Sequence, residues 1–171
     1  TTLFRSDLKQ HEAHSGVSQA YVDDQTGEKF IPHVLEPTFG IDRTVLAILA
    51  SAYDEETVGE GDTRVVLHFK PVIAPVQVAV LPLSKKEELS SVAETLAQNL
   101  KKIARVAYDE TQSIGKRYRR QDEIGTPYCV VVDFDTIETD GCVGVRDRDT
   151  MEQARVKVED LKSYLAERLK I

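Results

Sequence analysis

Residues 76–103 read VQVAVLPLSKKEELSSVAETLAQNLKKI, and this stretch decides the fold of the second part of the chain. The mostly apolar run Val76–Leu83 is typical of a strand that is buried on both faces of a parallel sheet. Ser84, with Glu87 three residues later, forms a capping-box pattern that predicts the start of a helix. The apolar residues that follow recur at helical spacing: Leu89, Val92, Leu96, Leu100 and Ile103. A buried strand followed directly by an amphipathic helix predicts an α/β fold.

The sequence downstream continues to alternate between strand-like and helix-like segments. The expected elements are a strand at Arg105–Asp109, a helix at Ser113–Ile124, strands at Thr126–Phe134, Cys142–Asp147 and Glu152–Val158, and a helix at Glu159–Ile171. This order, β-α-β-α-β-β-β-α, predicts a mixed β-sheet flanked by helices. A domain of about 100 residues with this pattern is large enough to fold by itself.

The first part of the chain is less regular. Two prolines interrupt the pattern at Pro71–Pro75, so we predict that residues 1–70 and 71–171 form separate domains. Thr1–Ser18 is polar and shows no clear periodicity. Further expected elements are a hairpin at Tyr21–Phe30, a strand at Ile31–Glu36, a helix at Ile41–Ala52, an acidic loop at Asp54–Asp62 and a strand at Val65–Phe69. Since one strand and one long helix cannot bury a core alone, we expect this part to depend on sequence outside the chain.

Composition excludes several classes of protein. The chain has 171 residues, with 22 Lys and Arg against 29 Asp and Glu, so its net charge of −7 excludes a uniformly basic nucleic-acid wrapper. The longest apolar run is far shorter than the roughly 20 residues that cross a bilayer, so no membrane association is expected. Two cysteines form neither a disulfide framework nor a zinc site, which favours a reducing cytoplasm. The single methionine is Met151, and we expect the chain to be a piece of a longer protein.

The segment at residues 32–43, PHVLEPTFGIDR, carries the most chemistry in the first part. Glu36 and Thr38 are two apart in an expected strand, so they point to the same side. Gly40 leaves room for a flat ligand, and Arg43 in the first turn of a helix is suited to a polyphosphate. This pattern predicts a pocket for a cationic small molecule beside a nucleotide; the alternative is a strand-to-helix turn with a surface ion pair.

The helix expected within Gly115–Gly125 is the second candidate site. Its cations supply affinity for phosphates, its amide and carboxylates can read the edges of unstacked bases, and its tyrosine can stack on one. The candidate residues are Lys116, Arg117, Tyr118, Arg119, Arg120, Gln121, Asp122 and Glu123. The alternative is a solvated charged helix. The alternating charges of Arg146–Asp149 are more typical of a structural set of ion pairs.

Three other features favour structural interpretations. His11 and His14 have a spacing that suits metal ligands, but no third ligand is evident in the sequence, so we predict no metal site. Cys129 and Cys142 lie in expected strands as core or half-buried thiols. The Asp133–Asp135 pair at the end of a strand is expected to cap a turn.

Six strings along the chain resemble, in order, the glycyl-tRNA synthetases, a family of class II aminoacyl-tRNA synthetases. The segment at 32–43 resembles motif 3 of the class II core, and the resemblance covers nearly the whole chain. The other matching strings are Arg5–His11, Ala74–Leu83 at the start of the family's anticodon-binding domain, Ser113–Gly125, Val132–Thr136 and Val145–Met151.

The resemblance implies roles for the motif 3 residues. Glu36 would bind the ammonium group of glycine, and Thr38 stands where the family has a serine that also contacts it. Arg43 would be the catalytic residue that holds the ATP phosphates, with Gly40 beside the adenine. The implied reaction uses ATP and Mg²⁺ to form glycyl-adenylate, and then transfers glycine to tRNA-Gly.

The resemblance also implies a domain plan and partners. Residues 1–70 would be the C-terminal part of an antiparallel class II catalytic core, and residues 71–171 an anticodon-binding domain whose charged helix lies near the anticodon stem-loop. The family is cytoplasmic and forms homodimers. Motifs 1 and 2 have no counterpart here, so we expect this chain alone not to aminoacylate tRNA.

Three alternatives stay open or are disfavoured by particular residues. A non-catalytic nucleic-acid-binding accessory protein is disfavoured because Glu36, Gly40 and Arg43 are retained. A flavodoxin-like nucleotide-binding enzyme is disfavoured because no glycine-rich loop follows Val76–Leu83. A class II synthetase for another amino acid is the nearest alternative, and Thr38 is the position where it would differ.

Overall fold

The computed structural model describes residues 2–3, 5–35, 37, 39–59 and 61–170 of the chain. The Cα positions cluster into two compact units, Thr1–Val45 and Leu46–Ile171. The second helix, α2 (Ile41–Ala52), contains the boundary between these two units. The expected domain boundary at residue 70 stays a prediction.

The first unit consists of short elements. They are β1 (Thr2–Leu3), α1 (Arg5–Ser15), β2 (Tyr21–Val22), β3 (Lys29–Phe30) and β4 (Val34–Leu35). Strand β1 pairs with β4, and β2 pairs with β3 in the expected hairpin, where the Asp23 carboxylate accepts hydrogen bonds from the backbone N–H groups of Gln25 and Thr26. Helix α1 forms where the sequence shows no periodicity, because its polar helix-forming residues need no apolar stripe at an exposed position.

The second unit is organised around a five-stranded sheet. After α2 its elements are β5 (Tyr53–Val58), β6 (Asp62–Leu67), β7 (Val78–Pro82), α3 (Glu87–Leu100), β8 (Val106–Tyr108), α4 (Ile114–Ile124), β9 (Tyr128–Val132), α5 (Phe134–Glu138), β10 (Cys142–Asp147), β11 (Gln153–Lys157) and α6 (Leu161–Leu169). The strand order is β11-β10-β9-β7-β8. Strand β7 is parallel to β8 and β9, whereas β10 is antiparallel to β9 and β11, so the predicted mixed sheet is confirmed.

The two faces of this sheet are covered by different helices. The larger core contains Val78, Val80 and Val130 from the strands, packed with apolar residues of α3 and α6. The opposite face presents a smaller cluster that includes Ala79 and Cys129 and packs against Ile114 and Tyr118 of α4. The alternation follows from the strand period of two residues, which sends neighbouring side chains to opposite faces.

Strands β5 and β6 form a hairpin where an acidic loop was expected, so that expectation is wrong. Tyr53 pairs with Leu67, and Glu56 lies directly opposite Arg64. Cross-strand pairing of opposite charges stabilises a strand. The acidic run therefore extends along β6 instead of forming a loop, and the hairpin belongs to the second compact unit.

Two helix starts also differ from the sequence pattern. The residue that precedes α3 is Lys86, without a side-chain cap, and the Ser84 hydroxyl reaches only the Lys86 N–H at 3.5 Å. A capping box occurs instead at α5, where Asp133 and Thr136 exchange side-chain and backbone hydrogen bonds, so Asp133 caps the turn as expected. Within the described residues, no helix has both the length and the hydropathy to cross a membrane.

Candidate nucleic-acid interface

Arg117 of helix α4 points into the protein. Its side chain is 2% exposed, and Nη1 donates to the Pro82 carbonyl at 2.5 Å and to the Asp109 carbonyl at 3.3 Å. Nη2 donates to the Leu83 carbonyl at 3.3 Å. These carbonyls follow the ends of β7 and β8, so Arg117 fastens the helix to the carboxyl end of the sheet.

Asp122 is the anionic centre of a buried ion network. Its carboxylate, in a residue that is 1% exposed, accepts from Arg146 at 2.8 and 3.1 Å and from Arg64 at 3.2 Å. Burial lowers the pKa of Arg146, but the hydrogen bonds and charge of Asp122 outweigh this and raise that pKa above its usual value. Because a buried charge is costly unless it is paired, these residues hold α4, β6 and β10 in a fixed arrangement.

Two more of the predicted contact residues are turned inward. Tyr118 is half-buried beneath the Arg146 guanidinium, which lies 4.8 Å from the ring centroid, and burial raises the Tyr118 pKa to about 12. Gln121 is buried, and its side-chain oxygen accepts a 2.7 Å hydrogen bond from Thr126. These contacts position the helix.

The remaining four residues of the candidate helix lie at the surface. Arg119 forms an ion pair with Asp62, and Arg120 donates to Asp109 and to Thr111. Lys116 and Glu123 are exposed. Of the eight residues that the sequence brings together in this helix, the structure therefore presents Lys116, Arg119, Arg120 and Glu123 to a ligand, the two arginines only in part.

The turn between β10 and β11 is held by the expected ion pairs. Arg148 is 3% exposed and forms two hydrogen bonds with the Asp149 carboxylate, while Nη1 donates to the Gly125 carbonyl at 2.8 Å. Burial raises the pKa of Asp149, but hydrogen bonds from Arg148 and His68 outweigh this and lower it. The turn is therefore tied both to α4 and to the β5–β6 hairpin.

The hairpin supplies residues that the sequence analysis missed. Arg64 is 2% exposed and connects Glu56 at 2.5 Å with Asp122 and with the backbone carbonyl of residue 148. His68 lies between Glu56 at 2.9 Å and Asp149 at 2.7 Å. The spacing of these residues was the available signal. Arg64 and His68 are four residues apart, which places them on one face of an extended chain, and Glu56 lies opposite Arg64.

Asp54 adds a third possible metal ligand to this face. One ligand atom each from Asp54, Glu56 and His68 lie within 4.8 Å of one another. Glu56 and His68 already bind each other, and Glu56 also binds Arg64. His11 and His14, the pair considered in the sequence, are exposed on α1.

The motif 3 segment lies across the start of α2. Glu36 and Thr38 are outside the described residues. Gly40 precedes the helix, and its carbonyl accepts hydrogen bonds from the backbone and the hydroxyl of Thr44. Arg43 is exposed in the first turn of α2, so its guanidinium is accessible beside the helix N-terminus.

A family model described as the anticodon binding domain matches residues 77–168, more than half of the chain. The chain belongs to the anticodon-binding domain family. The match covers the five-stranded sheet and almost all of α6. It includes Asp122 and Arg146 of the buried ion network, whereas Arg64 of β6 lies outside it.

Curated relatives resemble nearly the whole chain. It is 57% identical over 164 residues to a glycine–tRNA ligase of Clostridium acetobutylicum, covering 96% of this chain and 35% of the relative. It is 58% identical over 158 residues to the glycine–tRNA ligase of Lachnoclostridium phytofermentans, covering 92% of this chain and 34% of the relative. The chain thus spans about a third of the length of the curated relatives it matches.

Solved structures agree with the family assignment. A prolyl-tRNA synthetase from Cryptosporidium parvum, in complex with halofuginone and AMPPNP, matches 61% of this chain and 22% of its own, with a TM-score of 0.56 and 29% identity. A second structure of that enzyme, with L-proline and AMP, matches with a TM-score of 0.57 and 28% identity, covering 61% of this chain and 24% of its own. More than half of this chain therefore shares its fold with part of a prolyl-tRNA synthetase.

Proposed function

We propose that this chain is the anticodon-binding part of a glycine–tRNA ligase, an enzyme that attaches glycine to tRNA-Gly by way of glycyl-adenylate. The observation that carries this proposal is the 57% identity to a glycine–tRNA ligase over 96% of the chain. The match of residues 77–168 to the anticodon-binding domain family supports the same role for the second unit.

The tRNA contact is proposed for the exposed side of α4. Lys116 and the solvent-facing parts of Arg119 and Arg120 supply cations for phosphate oxygens, and Glu123 can accept from a base. The inward-facing residues of the same helix, Arg117, Tyr118, Gln121 and Asp122, act by holding it in place. Because the whole chain is acidic, binding depends on this local patch and weakens as salt rises.

The motif 3 segment is proposed to complete the ligase active site in the longer protein. Arg43 suits ATP phosphates because its guanidinium is exposed at a helix N-terminus, where backbone N–H groups add positive potential. Gly40 would lie beside the adenine. Glu36 would bind the glycine ammonium group, and Thr38 would contact it through its hydroxyl.

The proposal extends to the assembly and conditions of the parent enzyme. We assign it ATP as substrate, Mg²⁺ as the ion that accompanies ATP, a homodimeric state and a cytoplasmic location. Motifs 1 and 2 have no counterpart in this sequence, so the chain alone binds tRNA without charging it.

The experiment is a binding titration of the 171-residue chain with a tRNA-Gly transcript at several salt concentrations. A second transcript, identical except for its last two anticodon bases, serves as the control. The proposal predicts tighter binding of the unaltered tRNA and the same salt slope for both, because changing bases leaves the phosphate contacts intact. Equal, weak binding of both transcripts would contradict anticodon recognition and would favour a non-specific nucleic-acid-binding accessory protein.

A further inference from the structure

One face of the β5–β6 hairpin brings together three side chains of the types that bind transition metals: Asp54, Glu56 and His68. Asp54 and Glu56 are two residues apart in β5, so the strand period sends them to the same side. His68 directly follows β6, and its backbone N–H donates to the Ala52 carbonyl, which continues the pairing of the hairpin. One ligand atom from each of the three side chains lies within 4.8 Å of the others. The backbone register therefore sets the spacing of these groups.

Both ring nitrogens of His68 face carboxylate oxygens. Nδ1 lies 2.7 Å from Asp149 Oδ1, and Nε2 lies 2.9 Å from Glu56 Oε1. A neutral imidazole carries one N–H, so it can donate to only one of the two carboxylates. Its other nitrogen then presents a lone pair to a carboxylate that can only accept, and a cation is needed between them. A proton or a metal ion can take this position.

Asp149 favours one of the two tautomers of His68. Arg148, which is 3% exposed, donates to both Asp149 oxygens at 2.8 and 2.9 Å, so this carboxylate is ionised and fixed in orientation. It accepts from Nδ1–H, which leaves the Nε2 lone pair directed at Glu56. Histidines that bind metals usually donate their other ring N–H to a carboxylate in this way. Asp149 is not one of the three clustered side chains, so its contact points independently to ligation at Nε2.

The two carboxylates of the cluster leave room for a cation. Glu56 gives Oε2 to Arg64 and keeps Oε1 towards His68. Asp54 accepts from the Glu55 N–H, and among the residues that the structure describes no ion pair engages Asp54. In tetrahedral coordination with bonds of about 2.0–2.1 Å, two ligand atoms lie about 3.3 Å apart. The 2.9 Å between Nε2 and Oε1 therefore needs to widen by only about 0.4 Å, which small side-chain rotations supply.

We propose that Asp54, Glu56 and His68 bind a divalent transition-metal ion of the zinc type, with water in the fourth position. One imidazole and two carboxylates are ligands that Zn²⁺ accepts, whereas Mg²⁺ and Ca²⁺ prefer oxygen ligands. The fourth position faces solvent, because Asp54 is exposed. Through His68 and Asp149, the bound ion connects the hairpin to the turn between β10 and β11. This site goes beyond the proposed function and does not depend on it.

The test is isothermal titration calorimetry of the 171-residue chain with Zn²⁺, after dialysis against a chelator. His11 and His14 are exposed at a spacing that suits metal ligands, so the titrations use a His11→Gln/His14→Gln background that removes this competing pair. We expect one saturable Zn²⁺ site per chain, which an excess of Mg²⁺ does not displace. Asp54→Asn keeps the shape of an exposed side chain and should weaken Zn²⁺ binding by about tenfold or more.

Glu55→Gln is the matched control. It removes the adjacent carboxylate, which points to the other face of β5, and should bind Zn²⁺ like the background protein. Asp149→Asn keeps all three ligands and should weaken binding by about 10- to 100-fold, as for other partners of a metal-bound histidine. If the background protein has no saturable site, or if Asp54→Asn and Glu55→Gln bind equally, the metal site is refuted. Displacement by Mg²⁺ would refute the zinc type. None of these results changes the tRNA titration, so the proposed function is tested separately.

Discussion

Removal of the Asp122 carboxylate should destabilise the second unit more than removal of any exposed charged group nearby. Asp122→Ala leaves the guanidinium groups of Arg64 and Arg146 facing each other with no anion between them, in residues that are 2% and 7% exposed. The carboxylate accepts three hydrogen bonds from them. Because hydrogen bonds to charged groups contribute about 1.5–3 kcal/mol each, simple addition sets an upper bound of about 9 kcal/mol.

The expected loss of unfolding free energy is smaller than this bound, because Arg64 also binds Glu56 and the neighbouring side chains can relax after the substitution. Breaking one partner from a buried ion pair costs about 3–5 kcal/mol. With a urea m-value of about 2 kcal/mol per M, the unfolding midpoint should fall by roughly 2 M. Asp122→Asn keeps the shape and one acceptor, so it should retain part of this stability.

The assay is urea unfolding followed by far-ultraviolet circular dichroism. Glu123→Ala is the matched control, since it removes a carboxylate from the adjacent, exposed position of the same helix and should change the free energy of unfolding by less than about 0.5 kcal/mol. If Asp122→Ala and Glu123→Ala shift the midpoint equally, the buried network does not hold α4 in place, and the reasoning is refuted.

Three further predictions concern other parts of the second unit. Gly125→Ala should cost more than about 2 kcal/mol in thermal unfolding, because φ is +82° and a Cβ would lie 2.6 Å from a neighbouring backbone oxygen; Gly141→Ala, at φ +61° in open space, should cost about 1 kcal/mol. Burial raises the pKa of Asp133, but hydrogen bonds from an arginine and a threonine outweigh burial and hold this pKa below its usual value. The ionised Asp133 side chain therefore stabilises the fold above pH about 4, and this stabilisation is lost as pH falls. Asp133→Asn should flatten the acid limb of a plot of unfolding free energy against pH, and an unchanged limb would contradict this. Burial raises the pKa of the Cys129 thiol to about 12, so mass spectrometry after alkylation of the native protein near neutral pH should find label on half-buried Cys142 first, and rapid labelling of Cys129 would contradict its burial.

Hydrophobic periodicity predicts the sheet and helices of residues 76–171 because those elements bury one face or both. It fails at Glu56 and Arg64, since a strand made of paired charges has no apolar pattern. Likewise, Lys116 and Arg117 are adjacent cations in the sequence, yet one is exposed and the other is buried against backbone carbonyls. Which of them turns inward depends on tertiary partners, Pro82 among them, that lie far away in the sequence.

The candidate site, too, could be predicted from the sequence only in part. The segment that carries Arg43 and the helix that carries Lys116 could be found from local strings of sequence. The buried network around Asp122 could not, because its arginines come from β6 and β10, and only the fold brings them to α4. Roles for Glu36 and Thr38 stay predictions that rest on resemblance.

The most direct test of the ligase assignment is a chimera. The matching segment of the Clostridium acetobutylicum glycine–tRNA ligase is replaced by this chain, which is 57% identical to it, and ATP-dependent attachment of glycine to tRNA-Gly is measured. We expect a chimera that charges tRNA-Gly with glycine, and an Arg43→Ala version that is slower by about 100-fold or more, as for loss of a group that stabilises transition-state charge. A folded chimera that charges no tRNA, or that attaches a different amino acid, would contradict the assignment.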